Sequence, residues 1–126
     1  MAKILVIEDE AILREELVEW LLLEGHEALG AEDGIIGIEA AFQHLPDLII
    51  SDIMMPRLDG YGVLTKLQTN PTTTRIPLIF LTARAAHEDI HKGINLGADD
   101  YITKPFTRLE LLQAIQSCLG RRDFQN

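Results

Sequence analysis

An α/β fold built on a parallel sheet is the prediction from this sequence, and three observations carry it. Apolar residues fall into short dense runs separated by longer stretches with helical spacing. The two kinds of segment alternate five times along the chain. The dense runs are apolar at successive positions, as strands covered on both faces require.

The elements follow in order. Ile4 to Ile7 reads as the first strand, and Leu13, Leu17, Trp20 and Leu21 recur at three or four to mark the first helix, with Gly25 as its stop. Glu27 to Ala31 is a weaker second strand. Gly34 to Leu45 carries Ile35, Ile38, Ala41 and Phe42 at helical spacing and closes at Pro46. Leu48 to Ile50 is the third strand, and Tyr61 to Leu67 a short helix ended by Asn70-Pro71. Leu78 to Leu81 is the fourth strand, and Ile90, Ile94 and Gly97 mark the fourth helix. Asp100 to Thr103 is a weak fifth strand. Leu109, Leu112, Ile115 and Leu119 mark the fifth helix, with Thr107 and Glu110 spaced as a capping box. The domain is expected to span 1–120, with 121–126 as a tail or the start of a linker.

Composition narrows the function classes. The chain has 126 residues, of which 47% are hydrophobic and 25% charged, enough for one domain with a core. Eleven basic residues against twenty acidic ones leave a net charge of −9, which argues against direct nucleic-acid binding through a basic face. No apolar run approaches the ~18–20 residues of a membrane span, so no membrane role is expected. The apolar run after Lys3 is too short for a signal peptide. The single cysteine, Cys118, excludes an internal disulfide and fits a reducing cytoplasm.

Ligands of open α/β sheets bind beyond the carboxyl ends of the strands. The first strand ends in Glu8-Asp9-Glu10, the third in Asp52, the fourth in Thr82 and the fifth in Lys104-Pro105. Parallel strands bring these residues to one edge. Two carboxylates about 4 Å apart repel by ~4 kcal/mol at an effective dielectric near 20. Lys104 offsets one charge, and a hard divalent cation such as Mg²⁺ suits the remainder. Asp52, emerging from apolar surroundings, has the chemistry to take a phosphoryl group as an acyl phosphate. A metal, a cation and a hydroxyl are what such a transfer needs. Capping of the first helix by Glu8 and Asp9 is the plainer alternative, and the convergence of Asp52 and Lys104 weighs against it.

These residues carry a resemblance. Glu8-Asp9, the segment Asp52-Ile53-Met54-Met55-Pro56-Arg57-Leu58-Asp59-Gly60, Thr82-Ala83, Gly97-Ala98-Asp99-Asp100-Tyr101 and Lys104-Pro105-Phe106 together resemble the response-regulator receiver domain of two-component signalling, of the chemotaxis-regulator type. The match runs in order from Lys3 to about Leu119. It implies a doubly wound, flavodoxin-like sheet of five parallel strands in the order 2-1-3-4-5. It implies that Asp52 is the phosphoacceptor, served by a histidine kinase or a phosphotransfer protein. Mg²⁺ or Mn²⁺ would bind at Glu8, Asp9, Asp52 and the main-chain carbonyl of Met54. Thr82 would hold a phosphoryl oxygen, Lys104 would pair with Asp52 and then with the phosphoryl group, and Thr82 and Tyr101 would move as a switch. Gly60 would be a turn residue with φ above zero. The output face would comprise 85–96, Tyr101 and 107–119, read by a protein target, a missing output domain or a second phosphorylated copy.

Such a chain is a signal receiver and not an enzyme. A haloacid-dehalogenase-type hydrolase resembles this design but needs a second Asp two residues after the nucleophile, where Met54 stands. A flavin or nucleotide binder needs a Gly- or Ser/Thr-rich loop after the first strand, where Glu8-Asp9-Glu10 would repel phosphate. His87 and His91, four apart, lack a third ligand nearby and read as surface residues, and His26 and His44 form no constellation.

Overall fold

A computed structural model of the chain describes residues 1–83 and 95–125. Its strands are β1 (Lys3–Ile7), β2 (Glu27–Ala31), β3 (Leu48–Asp52), β4 (Leu78–Ala83) and β5 (Asp100–Lys104). They form one sheet in the order β2-β1-β3-β4-β5, every pair parallel, as expected. Strand order reverses at β1, whose neighbours are β2 on one side and β3 on the other, so the crevice between the ends of β1 and β3 is the switch point of the sheet.

Helices cover both faces. Ile4, Val6, Ile50 and Leu81 turn to the face packed by α1 (Ala11–Leu23) and by the C-terminal helix (Arg108–Gln125). Leu5, Ile7, Ile49 and Phe80 turn to the other, against α2 (Gly34–His44) and α3 (Gly60–Gln68). Side chains at alternate positions of each central strand therefore enter different cores, which is why those strands read as continuous apolar runs. Every residue of β3 is buried, whereas β2 and β5, at the two edges, each bury one residue in five. That exposure is the reason the edge strands read weakly in the sequence.

The helix ends have local causes. Gly25, at φ +90°, follows α1 as the expected stop. Asp33 caps α2, its Oδ1 accepting the Ile36 N–H at 2.9 Å, and Asp59 caps α3 in the same way through Gly62 at 2.9 Å. The capping box is formed: Glu110 N–H donates to Thr107 Oγ1 at 3.1 Å and Thr107 N–H to Glu110 Oε1 at 3.3 Å. The C-terminal helix continues past Leu119 to Gln125, so Arg121 lies within it and donates to the Asp99 carbonyl and to buried Cys118 Sγ. The expected fourth helix lies outside the described residues except for its helical end at Asn95 and Leu96, and His87 and His91 lie outside them too.

Gly60 departs from expectation. Its φ is not positive; the left-handed residue of this loop is Arg57, at φ +69°. Glycine is required at position 60 by space instead. A Cβ there would stand 2.5 Å from the Asp52 carbonyl oxygen and 2.9 Å from Ile53 Cα, and backbone atoms cannot yield as a flexible side chain can. Gly120, inside the C-terminal helix, has nothing within 4 Å of that position. Gly60→Ala should therefore lower stability by about 1–3 kcal/mol, and Gly120→Ala should raise it by about 0.5–1 kcal/mol. Urea denaturation of the two variants checks the contrast, and equal effects would contradict the close approach at Gly60.

Candidate functional site at the carboxyl edge of the sheet

Glu8 follows β1 directly, and its backbone amide still bonds to the Ala31 carbonyl of β2 at 3.0 Å. Its side chain is fully buried. One oxygen, Oε2, accepts the Glu10 N–H at 3.1 Å, and the other, Oε1, accepts from Lys104 Nζ at 3.1 Å. Asp52 is the last residue of β3 and is buried. Its Oδ1 accepts the Ile53 N–H at 2.9 Å and its Oδ2 accepts from the same Lys104 Nζ at 3.2 Å. Asp9 is exposed at the mouth of the crevice. Carboxylate oxygens of Glu8, Asp9 and Asp52 all lie within 4.8 Å of one another.

One ammonium group thus serves two buried acids, with a third beside them. The resemblance pairs Lys104 with Asp52 alone; here it bridges both. Lys104 comes from the last position of β5, which lies opposite Ala83 in β4, and its bond to Pro105 is cis. Thr82 is buried at the end of β4, opposite Thr103, and among the described residues its hydroxyl makes a long 3.5 Å contact with the Ala83 carbonyl. Tyr101 stands on β5 opposite Phe80 and is 38% exposed, so part of the residue reaches solvent. The Met54 side chain is 74% exposed on the loop after β3. Neither Glu8 nor Asp9 is the N-cap of α1, which is Glu10 without a side-chain cap bond; Glu8 reaches the helix start only through the Glu10 N–H, and its other oxygen is given to Lys104.

The electrostatics follow from burial. Loss of water around Glu8 pushes its carboxyl up to about 7, with the Asp52 charge adding to the rise while the Glu10 amide and Lys104 hold it down. Burial opposes the Lys104 charge, but Asp52 and Glu8 together outweigh that and push its ammonium above 10.5. With all three acids ionised, the group carries two negative charges beyond what Lys104 neutralises. Oxygen donors and a charge deficit of that size fit a hard divalent cation such as Mg²⁺.

Three contacts around the site have no forewarning in the sequence reading. Arg14, one turn into α1, donates to the Glu8 carbonyl at 2.9 Å, and its stem packs where Gly30 has no side chain. Ser51 Oγ donates to the Asp52 carbonyl at 2.9 Å. Arg57 pairs with Asp33 across two loops at 3.0 Å. Helical spacing places Arg14 over the acidic turn and is a usable signal; the other two contacts leave no pattern in the sequence.

Comparison with known proteins decides what this edge belongs to. The family model described as "Response regulator receiver domain" matches residues 4–116. The chain belongs to the response-regulator receiver family. It is the receiver module of two-component signalling, and its site coincides with the switch point of the receiver sheet. A relative named "Probable transcriptional regulator ycf27", from Porphyridium aerugineum, is 43% identical over 121 residues, covering 96% of this chain and 49% of its own length. The "DNA-binding dual master transcriptional regulator RpaA" of Synechocystis sp. is 38% identical over 123 residues, covering 98% of this chain and 51% of its own length. A response regulator receiver domain protein from Clostridium thermocellum, of known crystal structure, superposes with a TM-score of 0.93 at 28% identity, with both chains covered completely. The receiver spans about half the length of the curated relatives it matches.

Glu8 gives the metal-free receiver a pH dependence whose sign is set by its raised carboxyl. An unfolded glutamate titrates near 4.5 and the folded one near 7, so folding takes up a proton between those values and stability falls as pH rises across the window. Lys104, pushed up, stays charged throughout and contributes a constant. Urea denaturation without metal at about pH 5.5 and about pH 8 should show wild type losing more stability than Glu8→Gln, by about 2 kcal/mol. Parallel behaviour of the two proteins would refute the assignment.

Proposed function

We propose that Asp52 accepts a phosphoryl group from a histidine kinase or a phosphotransfer protein, and that the modified receiver presents a changed face to its target. The observation that carries this reading is the Lys104 ammonium shared by Glu8 and Asp52 in the switch-point crevice, with Asp9 beside them. An Asp52 oxygen attacks phosphorus, the bond between phosphorus and the donor nitrogen breaks, and the departing imidazole keeps the electron pair. The product is an acyl phosphate. Glu8, Asp9, Asp52 and the Met54 carbonyl would hold Mg²⁺ or Mn²⁺, whose contribution would be to neutralise charge that develops on the phosphoryl oxygens.

The chain's own groups do the rest. The Ile53 amide holds Asp52 Oδ1 and fixes the direction of the carboxylate. Lys104 exchanges its bond to Asp52 for one to a phosphoryl oxygen. Thr82 has little to give up when its hydroxyl turns to another, since its present contact is long. The new group brings about −1.5 to −2 charges and three strong acceptors. Movement of Thr82 would draw Tyr101 inward and alter the face that β5 and the C-terminal helix present; the part of the expected output face from 85 to 94 lies outside the described residues. We read the chain as a receiver and not a turnover enzyme, acting in the cytoplasm. No described helix is long and apolar enough to cross a membrane. Because the named relatives are about twice as long and are transcriptional regulators, a DNA-binding output domain is the favoured target, with a separate protein or a second phosphorylated copy as the other forms of output.

Treatment with acetyl phosphate, read by intact mass, tests the reading. A phosphoryl adduct should form with Mg²⁺, fail to form in Asp52→Asn, and accumulate about a hundredfold or more slowly in Lys104→Ala. An adduct that persists in Asp52→Asn, or that forms equally without metal, would refute it.

A further inference from the structure

The loop between β3 and α3 carries Met54, and one of its residues sits where side chains are rare. Arg57 adopts φ +69°, in the left-handed region that favours glycine. Its guanidinium lies 3.0 Å from Asp33 Oδ2, in the loop before α2 and 24 residues away. Asp33 is a fixed target. Its side chain is buried, and its other oxygen is already committed to the Ile36 N–H as the cap of α2. The two loops also touch through their backbones, since a Cβ on Gly34 would strike the Leu58 carbonyl. At its far end the loop is held where Gly60 N–H donates to the Ile53 carbonyl at 2.8 Å and packs on the Asp52 carbonyl. Met54 lies between these two attachments.

We propose that Arg57 and Asp33 form a latch that positions the β3–α3 loop, and with it the Met54 carbonyl, for the divalent cation. Arg57 is a positioning residue: it offers no ligand to the cation and no donor to the phosphoryl group. The inference rests on the phosphoacceptor reading above. It adds a residue outside the acidic cluster that sets how well the cation is held. Arg57 is 57% exposed at its side chain and Asp33 only 8%, and a pair of that kind changes an equilibrium by about two- to fivefold.

Three variants separate the latch from ordinary loop geometry. Arg57→Gly removes the pair but relieves the backbone, Asp33→Asn removes the charge but keeps a good helix cap, and Arg57→Lys keeps the charge without the fork. The readouts are the Mg²⁺ dissociation constant by titration calorimetry and hydrogen exchange of amides 53–60 in the metal-free protein. Arg57→Gly and Asp33→Asn should each weaken Mg²⁺ about two- to fivefold and speed exchange in the loop. The double variant should be no worse than either single one, Arg57→Lys should recover part of the loss, and Asp52 phosphorylation at saturating Mg²⁺ should match wild type. Arg57→Gly with unchanged affinity and exchange, or additive effects in the double variant, would overturn the latch alone. Wild type that binds no Mg²⁺ would overturn the metal reading and this inference with it.

Discussion

One imbalance governs the working edge of this receiver: among the described residues three carboxylates crowd together, and the two buried ones share the Lys104 ammonium in a crevice from which they cannot retreat. Glu8 is held by its own amide on β2, and Asp52 by an Ile53 amide that its side chain engages and whose backbone also bonds to Leu81 of β4. Neither acid can swing into water to relieve repulsion worth ~4 kcal/mol per pair at 4 Å. The strands that carry them lie at the centre of the sheet, where both faces are covered by apolar side chains. The double-sided core is thus what makes the charge cluster possible. Without a cation the cluster finds relief by the cheaper route of a proton on Glu8, whose carboxyl is pushed up to about 7. Proton, lysine and metal answer the same deficit.

The fold and most of the site were legible in the sequence because they rest on period and order. Dense runs at Ile4 to Ile7, Leu48 to Ile50 and Leu78 to Leu81 lie within β1, β3 and β4, and their parallel pairing brings Glu8, Asp52, Thr82 and Lys104 to one edge. What stayed hidden depends on contacts between loops. That Lys104 bridges Glu8 as well as Asp52, and that Arg57 reaches Asp33, are matters of where long side chains end, which no spacing rule records. Gly60 shows the same limit from the other side. A turn glycine after Asp59 reads as a demand for positive φ, yet the demand here is for a missing Cβ beside the Asp52 carbonyl, while an arginine takes the left-handed position.

The charge of −9 resolves into unlike parts. Asp33 and Asp59 cap helices, and exposed acids of α1 such as Glu15, Glu16 and Glu19 face solvent. Among the described residues, the acids at the ends of β1 and β3 form the cluster held close against its own repulsion.

The cation that answers them comes from the opposite kind of element. β5 is an edge strand with one buried residue in five, and Lys104 ends it. Its ammonium reaches past β4 and β3 to an acid at the end of β1, so two central strands and one edge strand are tied through a single nitrogen. Any group that competes for that nitrogen alters the tie, and the three strands do not resist equally. β1 and β3 are fixed by neighbours on both sides and by two cores, whereas β5 is paired on one side only. A change at Asp52 is therefore expressed most readily in β5, which also carries Tyr101 opposite Phe80 and leads through the Thr107 cap into the C-terminal helix. On the proposed reading, an acceptor on a central strand, joined by one lysine to an edge strand paired on one side, is the arrangement that would let a covalent event in the crevice become a change at the surface.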